Sequence, residues 1–551
     1  MAVRDRKQWH KITGVLALGV GAIALPTTAY SYLTSSVGET GIDALRLHGD
    51  PYNLKGSKIA IGQVEIGRPG RFGMDKEIPA NAAVTPKGIF RRNAPAKVNG
   101  DVDRHAHNVA GVMISQHKAV PGVAPKARLY AAAVAGDYSK NRQAYECLTT
   151  QHIAMQNSGD VRATNFSFGE PLELDPRSDA VLDGKAPLTL CVDWLAAQEN
   201  VVYTIAGNQG SGGIPIPTDN YNGINVAFSS QGDNKVYNRV DVANLGSVFG
   251  GVRDRLEGIE SNVGERRSIH LLAPGRNIPL VEPNGEIRRD TGTSFAAPHV
   301  IGTVALLQEY GDRQIAKSQS HWSVDARHHE VMKAVLLNSA DKIKDISGNY
   351  LGMTRTIWDK NNQNWLQSDA YQKRNISLHA QMGTGHLNAY RAVQQFQPGQ
   401  YAPDSPVPAR GWDYNQVHID SENQPAYREY TISQPLAEGS YLSATLAWNR
   451  KVTLQDKNEN GRYDLGEKFR DRGLNDLNLY LMPVGSDNPQ DSVWSSVSSA
   501  DSVEHIFFPI PETGRYKLRI AYEQQANDPV QDYAIAWWTQ TATPPLLQNQ
   551  E

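Results

Sequence analysis

Cysteine is nearly absent from this sequence: Cys147 and Cys191 are the only two in 551 residues. That excludes a small fold stapled by many disulfides and a cysteine-rich metal module. An excess of basic charge is missing too. Lysine and arginine number 55 against 58 aspartates and glutamates, a net charge of −3. With no basic run standing out, nothing points to nucleic acid as a partner. The leading apolar run, "ITGVLALGVGAIALP", falls short of the roughly 20 residues a membrane-spanning helix needs. There is neither an internal repeat nor a long low-complexity tract. What remains is a globular composition, 40% hydrophobic and 21% charged, on a chain too long for one ordinary core. Two or more domains follow.

That apolar run comes after the net-basic "MAVRDRKQWHK", and small residues at Thr27-Thr28-Ala29 follow it. Residues 1–29 therefore read as a signal peptide, the alternative being a retained N-terminal anchor. We expect a secreted or periplasmic protein, free of the membrane once the signal is removed. In an oxidising compartment the two cysteines either pair or remain buried thiols. Sequence leaves both open, and neither makes them catalytic.

From about residue 58 to residue 396 short apolar runs alternate with helical patterns. "KIAIGQVEI", "ARLYAAAVA", "ATNFSFG", "VVYTIAGN", "GINVAFSS" and "SIHLLAPG" read as buried strands; "HNVAGVMISQH", "LTLCVDWLAAQEN", "SFAAPHVIGTVALLQEY" and "HEVMKAVLLNSADKI" read as helices. Such alternation predicts an α/β unit, a mostly parallel sheet flanked by helices, with functional loops at the carboxyl ends of the strands. It occupies residues 30–397. The proline- and glycine-rich stretch 398–412 reads as a linker. Beyond it, two-residue alternation in "YLSATLAWN", "LNLYLMPV", "EHIFFPI", "YKLRIAY" and "YAIAWWT" predicts an all-β sandwich or jelly roll over 413–541, with a tail at 542–551.

"RRDTGTSFAAPHVIGTVALL", residues 288–307, places Ser294 among small residues at the entrance of an apolar helix. Thr293 or Ser294 as a helix cap is one reading. The other is a nucleophile, because a helix N-terminus suits an anion forming beside it. Pro298 sits late for a first-turn proline, and a cap needs no run of small neighbours. A serine nucleophile requires a base, an acid to orient the base, and donors for the oxyanion. The chain offers His105 ahead of a helix, Glu65 at a strand end and Asn208 between glycines.

These segments resemble the subtilisin family of serine proteases, the subtilases. "GTSFAAPHV" matches the family signature around its serine, "HAHNVAG" is similar to the segment bearing its base, and "AGNQG" matches the segment bearing its oxyanion asparagine. "NFSFG" resembles the strand that pairs with substrate backbone, which places Ser167, Phe168 and Gly169 in that role. "GVAPKARLYAAAV", "LLAPG", "HEVMKAVLLNSAD" and "GTGHLNAYRAV" resemble further landmarks, over roughly residues 40 to 396. The resemblance implies Ser294 as nucleophile, His105 as base, Asn208 in the oxyanion hole, and a polypeptide substrate.

Two departures stand out. Where the family carries aspartate this chain has Glu65, in "QVEIG", whose extra methylene must fold back to meet an imidazole. Glutamate orients the base in triads on another fold, so a Ser-His-Glu triad is the expectation. The second is "HAH"; His105 and His107 also admit a metal-pair reading, with Asp101 and Asp103 the nearby acids. The span from Ala29 to Lys58 has room for little beyond the lead-in usual in that family, "GIDALRLHGDPYNLKGS", so we expect no N-terminal prodomain.

"DKNENGRYDLGE", residues 456–467, fits the calcium-loop pattern D-x-[DN]-x-[DN]-G-x5-E. Asp456, Asn458 and Asn460 are the expected side-chain ligands, Arg462 the carbonyl ligand, Asp464 a direct or water-mediated ligand and Glu467 the bidentate one. The site would be structural and not required for the chemistry. A polar hairpin with chance spacing is the rival. "ATLAWN" and "LNDLNLYLMP" resemble the β-domain of some larger subtilases, where exposed Trp537 or Trp538 would touch a ligand, although a sandwich core claims at least one. The sequence thus predicts an exported serine endopeptidase. The competing expectation is a catalytically impaired relative that binds through its β-domain.

Overall fold

The computed structural model describes residues 36–134, 141–178, 180–209, 214–244, 265–419 and 425–542. The signal-peptide reading of residues 1–29 lies outside them. Strands Ala60–Glu65 and Val161–Phe166 are buried at all six positions, as unbroken apolar strands are when helices cover both faces of a sheet. Seven strands run parallel in the order Gly88–Arg91, Arg128–Ala133, Ala60–Glu65, Val161–Phe166, Val202–Ala206, Ile224–Gln231, Leu271–Pro274. Ala94–Pro95 and Tyr237–Val242 add antiparallel edges.

The chain first builds outward from one side of Ala60–Glu65 and then crosses to its other side with Val161–Phe166. That reversal opens a crevice at the carboxyl end of the first strand, where Glu65 stands. Helix Thr293–Ala316 crosses beneath the sheet, buried at almost every position of its first four turns. On the other face, helices Arg142–Ala154 and Pro187–Glu199 are joined by a Cys147–Cys191 disulfide with Cα atoms 5.8 Å apart. The two cysteines are paired.

A five-stranded and a four-stranded sheet form the C-terminal sandwich, around Tyr430, Trp448, Leu518, Ile520 and Trp537. Strand Tyr441–Trp448 is buried at all eight positions. Leu442, Ala444 and Leu446 enter the sandwich core. Ser443 and Thr445 face the α/β unit, each donating to Asn338 Oδ1, at 2.8 and 3.1 Å. Both faces of this strand are therefore interior, and its alternation separates apolar from small polar residues. Arg450 fixes the joint further: fully buried, it pairs with Asp193 of helix Pro187–Glu199, its Nε at 3.0 Å.

The segment read as a linker is structured. Pro406–Val407 and Arg410–His418 are strands, with Trp412 buried, so the sandwich begins before residue 413. Neither tryptophan is the exposed platform considered above. Trp537 is fully buried and donates to Pro408 O at 2.9 Å, while Trp538 lies half-buried between Arg391 and Arg410. Among the described residues no helix is long and apolar enough to cross a membrane.

Candidate active site

Glu65 closes its strand and His105 opens the helix Arg104–Ile114. Two main-chain bonds hold the strand end to the helix start: Arg68 N–H to Asp101 O at 2.8 Å and Asp103 N–H to Arg68 O at 3.0 Å. Asp103 then caps the helix by accepting Ala106 N–H at 2.8 Å. The approach is so close that a Cβ at Gly67 would lie 2.2 Å from Asp103 Cβ, which only glycine avoids. Gln63 adds a bond from its Nε2 to Ala106 O at 2.8 Å. Arg68, wholly buried, makes a two-pronged pair with Asp75, each bond 2.7 Å. Neither Gln63 nor Arg68 was singled out by sequence, although each lies within or just after the quoted strand.

This scaffold sets Glu65 Oε1 3.5 Å from His105 Nδ1. The carboxyl group is buried, and Oε1 has no other hydrogen-bond partner among the described residues. Its second oxygen accepts Ile66 N–H at 3.2 Å. The extra methylene of glutamate therefore still lets the carboxyl face the ring. At 3.5 Å the contact is an ion-pair distance, longer than a formed N–H···O bond. Burial pulls the imidazole toward its neutral form, but the Glu65 carboxylate, aided by Asp103 and Asp290, outweighs it and holds His105 above its ordinary value. The ring is 39% exposed, so its other edge meets solvent, beside Phe295 with ring centroids 5.6 Å apart.

The metal-pair reading fails. Both histidines lie on one helix, where a spacing of two turns side chains about 200° apart. His107 points inward, accepts Gly70 N–H at 3.3 Å, and is driven by burial to about 4.

Helix Thr293–Ala316 begins with Gly292 as its N-cap and no side-chain cap bond, so the capping reading of Thr293 and Ser294 is also overturned. Thr293 instead looks across the crevice: its Oγ1 donates to Gly207 O at 2.7 Å and its N–H to Gln209 Oε1 at 2.8 Å. These bonds bracket Asn208 and tie its segment to the start of the helix that carries Ser294. Asn208 is buried, with its N–H on Asn244 Oδ1 at 2.8 Å and its own Oδ1 accepting Ile214 N–H at 3.2 Å. Gln209 and Asn244 escaped sequence reasoning, though Gln209 stands inside the quoted "AGNQG".

Pro298 has a role here. Lacking an N–H, it leaves Ser294 O without the usual partner four residues on. Ser167 Oγ fills the place at 2.8 Å, and Ser294 Oγ donates back to Ser167 O at 3.2 Å. Ser167, the first residue of the segment Ser167–Gly169, is thus bonded directly to the serine. In this arrangement the Ser294 hydroxyl is turned to the Ser167 carbonyl instead of His105.

The loop 456–467 joins strands Val452–Gln455 and Lys468–Asp471. Gly461 makes the turn at φ 72° and donates to Asp456 Oδ2 at 2.7 Å. Asn458 and Asn460 both direct Nδ2 to Asp464 Oδ2, at 2.8 and 2.7 Å. Three of the expected ligand heads therefore converge. Glu467 does not join them, since its oxygens accept Lys457 N–H and Asp464 N–H at 2.8 and 2.9 Å. Arg462 N–H bonds Asn460 Oδ1 at 2.7 Å. Among the described residues no group of three or more His, Cys, Asp or Glu side chains is arranged to hold a metal ion. The next residue, Tyr463, docks the loop on the other unit through two bonds with Gln151, 2.6 and 3.1 Å.

The profile of the Subtilase family matches residues 54–373. The major intracellular serine protease of Bacillus subtilis (strain 168) is 27% identical over 231 residues, covering 41% of this chain and 62% of that protein. Subtilisin DY of Bacillus licheniformis is 29% identical over 260 residues, 46% of this chain and 77% of that protein. The match thus spans less than two thirds of the first relative's length. Among solved structures, the prenylagaramide maturation protease PagA is 22% identical with a TM-score of 0.39, covering 61% of this chain and 93% of that one.

Proposed function

Since the chain belongs to the subtilase family, we propose that it is an exported serine endopeptidase working through a Ser-His-Glu triad. The observation that supports this reading most directly is the buried Glu65 carboxyl aimed at His105 Nδ1. Held by Glu65, His105 presents its other nitrogen toward the crevice as a base. It removes the Ser294 proton as the hydroxyl leaves the Ser167 carbonyl and attacks a peptide carbonyl. Glu65 stabilises the imidazolium so formed. Asn208 and the helix N-terminus stabilise the oxyanion. His105 then returns the proton to the leaving amine, and water releases the acyl enzyme. The substrate backbone lies along Ser167–Gly169.

A structural calcium ion belongs to the same proposal. Its support is the loop pattern and the convergence of the Asn458, Asn460 and Asp464 side chains. The ion plays no part in the chemistry.

One observation favours a second reading, a subtilase fold that binds without cleaving: the Ser294 hydroxyl is engaged away from the ring. A serine-reactive fluorophosphonate probe separates the two. Labelling that disappears in Ser294→Ala supports the peptidase; a folded protein that never labels supports the binding protein.

A further inference from the structure

Two buried acids beside the substrate-pairing segment have no part in the mechanism above. Glu146 lies on helix Arg142–Ala154, and Glu170 directly follows Gly169; both are fully buried. Glu146 Oε1 is 3.0 Å and Glu170 Oε1 2.9 Å from the same atom, Arg142 Nε. One N–H cannot satisfy two acceptors. Glu146 Oε2 and both Glu170 oxygens accept no hydrogen bond among the described residues. Few other charges are near among the described residues. The paired segment Ile214–Ile216 brings none, Glu173 is exposed, Asp175 is taken by Arg177 and Asp193 by Arg450. Two negative charges so close in a dry site do not both persist, and one carboxyl keeps its proton. Burial, reinforced by Glu170, pushes Glu146 well above its ordinary value.

The position of Glu170 governs that of its neighbours. Its main chain exchanges two bonds with Ile216, at 2.8 and 3.1 Å. Gly169 packs so tightly that a Cβ there would lie 2.3 Å from Ile214 O. Two residues before it, Ser167 holds the carbonyl of Ser294.

We propose that Glu146 is a positioning residue: sharing one proton with Glu170 beside Arg142, it holds Ser167–Gly169 where substrate backbone pairs, so that substrate binding weakens when that proton is lost. This rests on the peptidase reading. With the proton present, a carboxyl–carboxylate hydrogen bond joins helix to segment. Without it, two anions crowd the one Arg142 guanidinium, and Glu170 is pushed off with the segment it belongs to.

The test is steady-state kinetics on a peptide substrate between about pH 5 and 9, with fluorophosphonate labelling of the same samples. In the wild type KM should rise roughly 3- to 10-fold toward the alkaline end while kcat follows His105 alone. Glu146→Gln, whose amide keeps a donor toward Glu170 at every pH, should hold KM flat. Glu146→Ala should raise KM throughout. A labelled wild type with a pH-independent KM, or the same KM profile in wild type and Glu146→Gln, overturns this proposal alone. A wild type that neither labels nor turns over removes the serine reading, and this one with it.

Discussion

Glu65 Oε1 stands 3.5 Å from His105 Nδ1, across a turn whose geometry is fixed by two main-chain bonds and by the absence of a side chain at Gly67. Glu65→Gln keeps the shape and removes the charge. We expect a loss in kcat of roughly 10³- to 10⁴-fold, with a thermal transition close to that of the wild type. Retained turnover in the folded variant would take Glu65 out of the triad.

The same contact sets a pH dependence. His105 acts as a base only when neutral, and Glu65 holds it above its ordinary value. The His105 contribution to kcat is therefore full above its raised value and is lost as pH drops through it. Without the charge of Glu65 the imidazole ionises less readily, so the acid limb of kcat/KM in Glu65→Gln should shift to lower pH. A shift to higher pH contradicts the assignment.

Ser167→Ala leaves the buried carbonyl of Ser294 without its donor. A cost of about 1–3 kcal/mol is expected in unfolding free energy, together with reduced turnover as the serine loses its fixed place. In a Pro298→Ala background the restored N–H should shrink that cost; if Ser167→Ala costs nothing while Pro298 is present, the carbonyl has another donor and the account of Pro298 fails.

Arg450→Met takes the cation from the buried Asp193 carboxylate at the joint between the two units, leaving it the main-chain N–H groups of Tyr221 and Asn222. Such a loss costs about 3–5 kcal/mol. The double variant Arg450→Met with Asp193→Leu should recover much of it, which a double-mutant cycle in urea would measure. Equal and additive losses would show that the pair does not act as a pair.

Calcium is tested without reference to activity. Adding Ca²⁺ to chelator-treated protein should raise the midpoint of thermal unfolding. Asp456→Ala combined with Asp464→Ala should abolish the rise, and binding should appear by isothermal titration only in the wild type. No difference between wild type and double variant leaves the loop a polar hairpin.

The parallel sheet, its flanking helices and the β-sandwich were legible because period and composition are local properties: "KIAIGQVEI" and "ATNFSFG" are unbroken apolar runs and fold as fully buried strands. Stretch 398–412 misled because proline and glycine at 398–411 mark turns as readily as linkers. Only the partner strand Val530–Trp538 makes Arg410–His418 a strand. Ser294 was legible for its small neighbours, but whether it caps its helix was not.

By itself the sequence nominated the residues proposed to carry the chemistry, since the segments around Ser294, His105, Glu65 and Asn208 resemble the subtilase landmarks in type and order. Tertiary structure alone decided which atoms meet. Glu65 reaches the ring because the main chain of Arg68 donates to Asp101 and accepts from Asp103, Cys147 finds Cys191 because two helices pack side by side, and Glu146 meets Glu170 across a fold in the chain. Residue type and period are written in consecutive positions, whereas a distance between side chains far apart in sequence depends on how every element between them is packed.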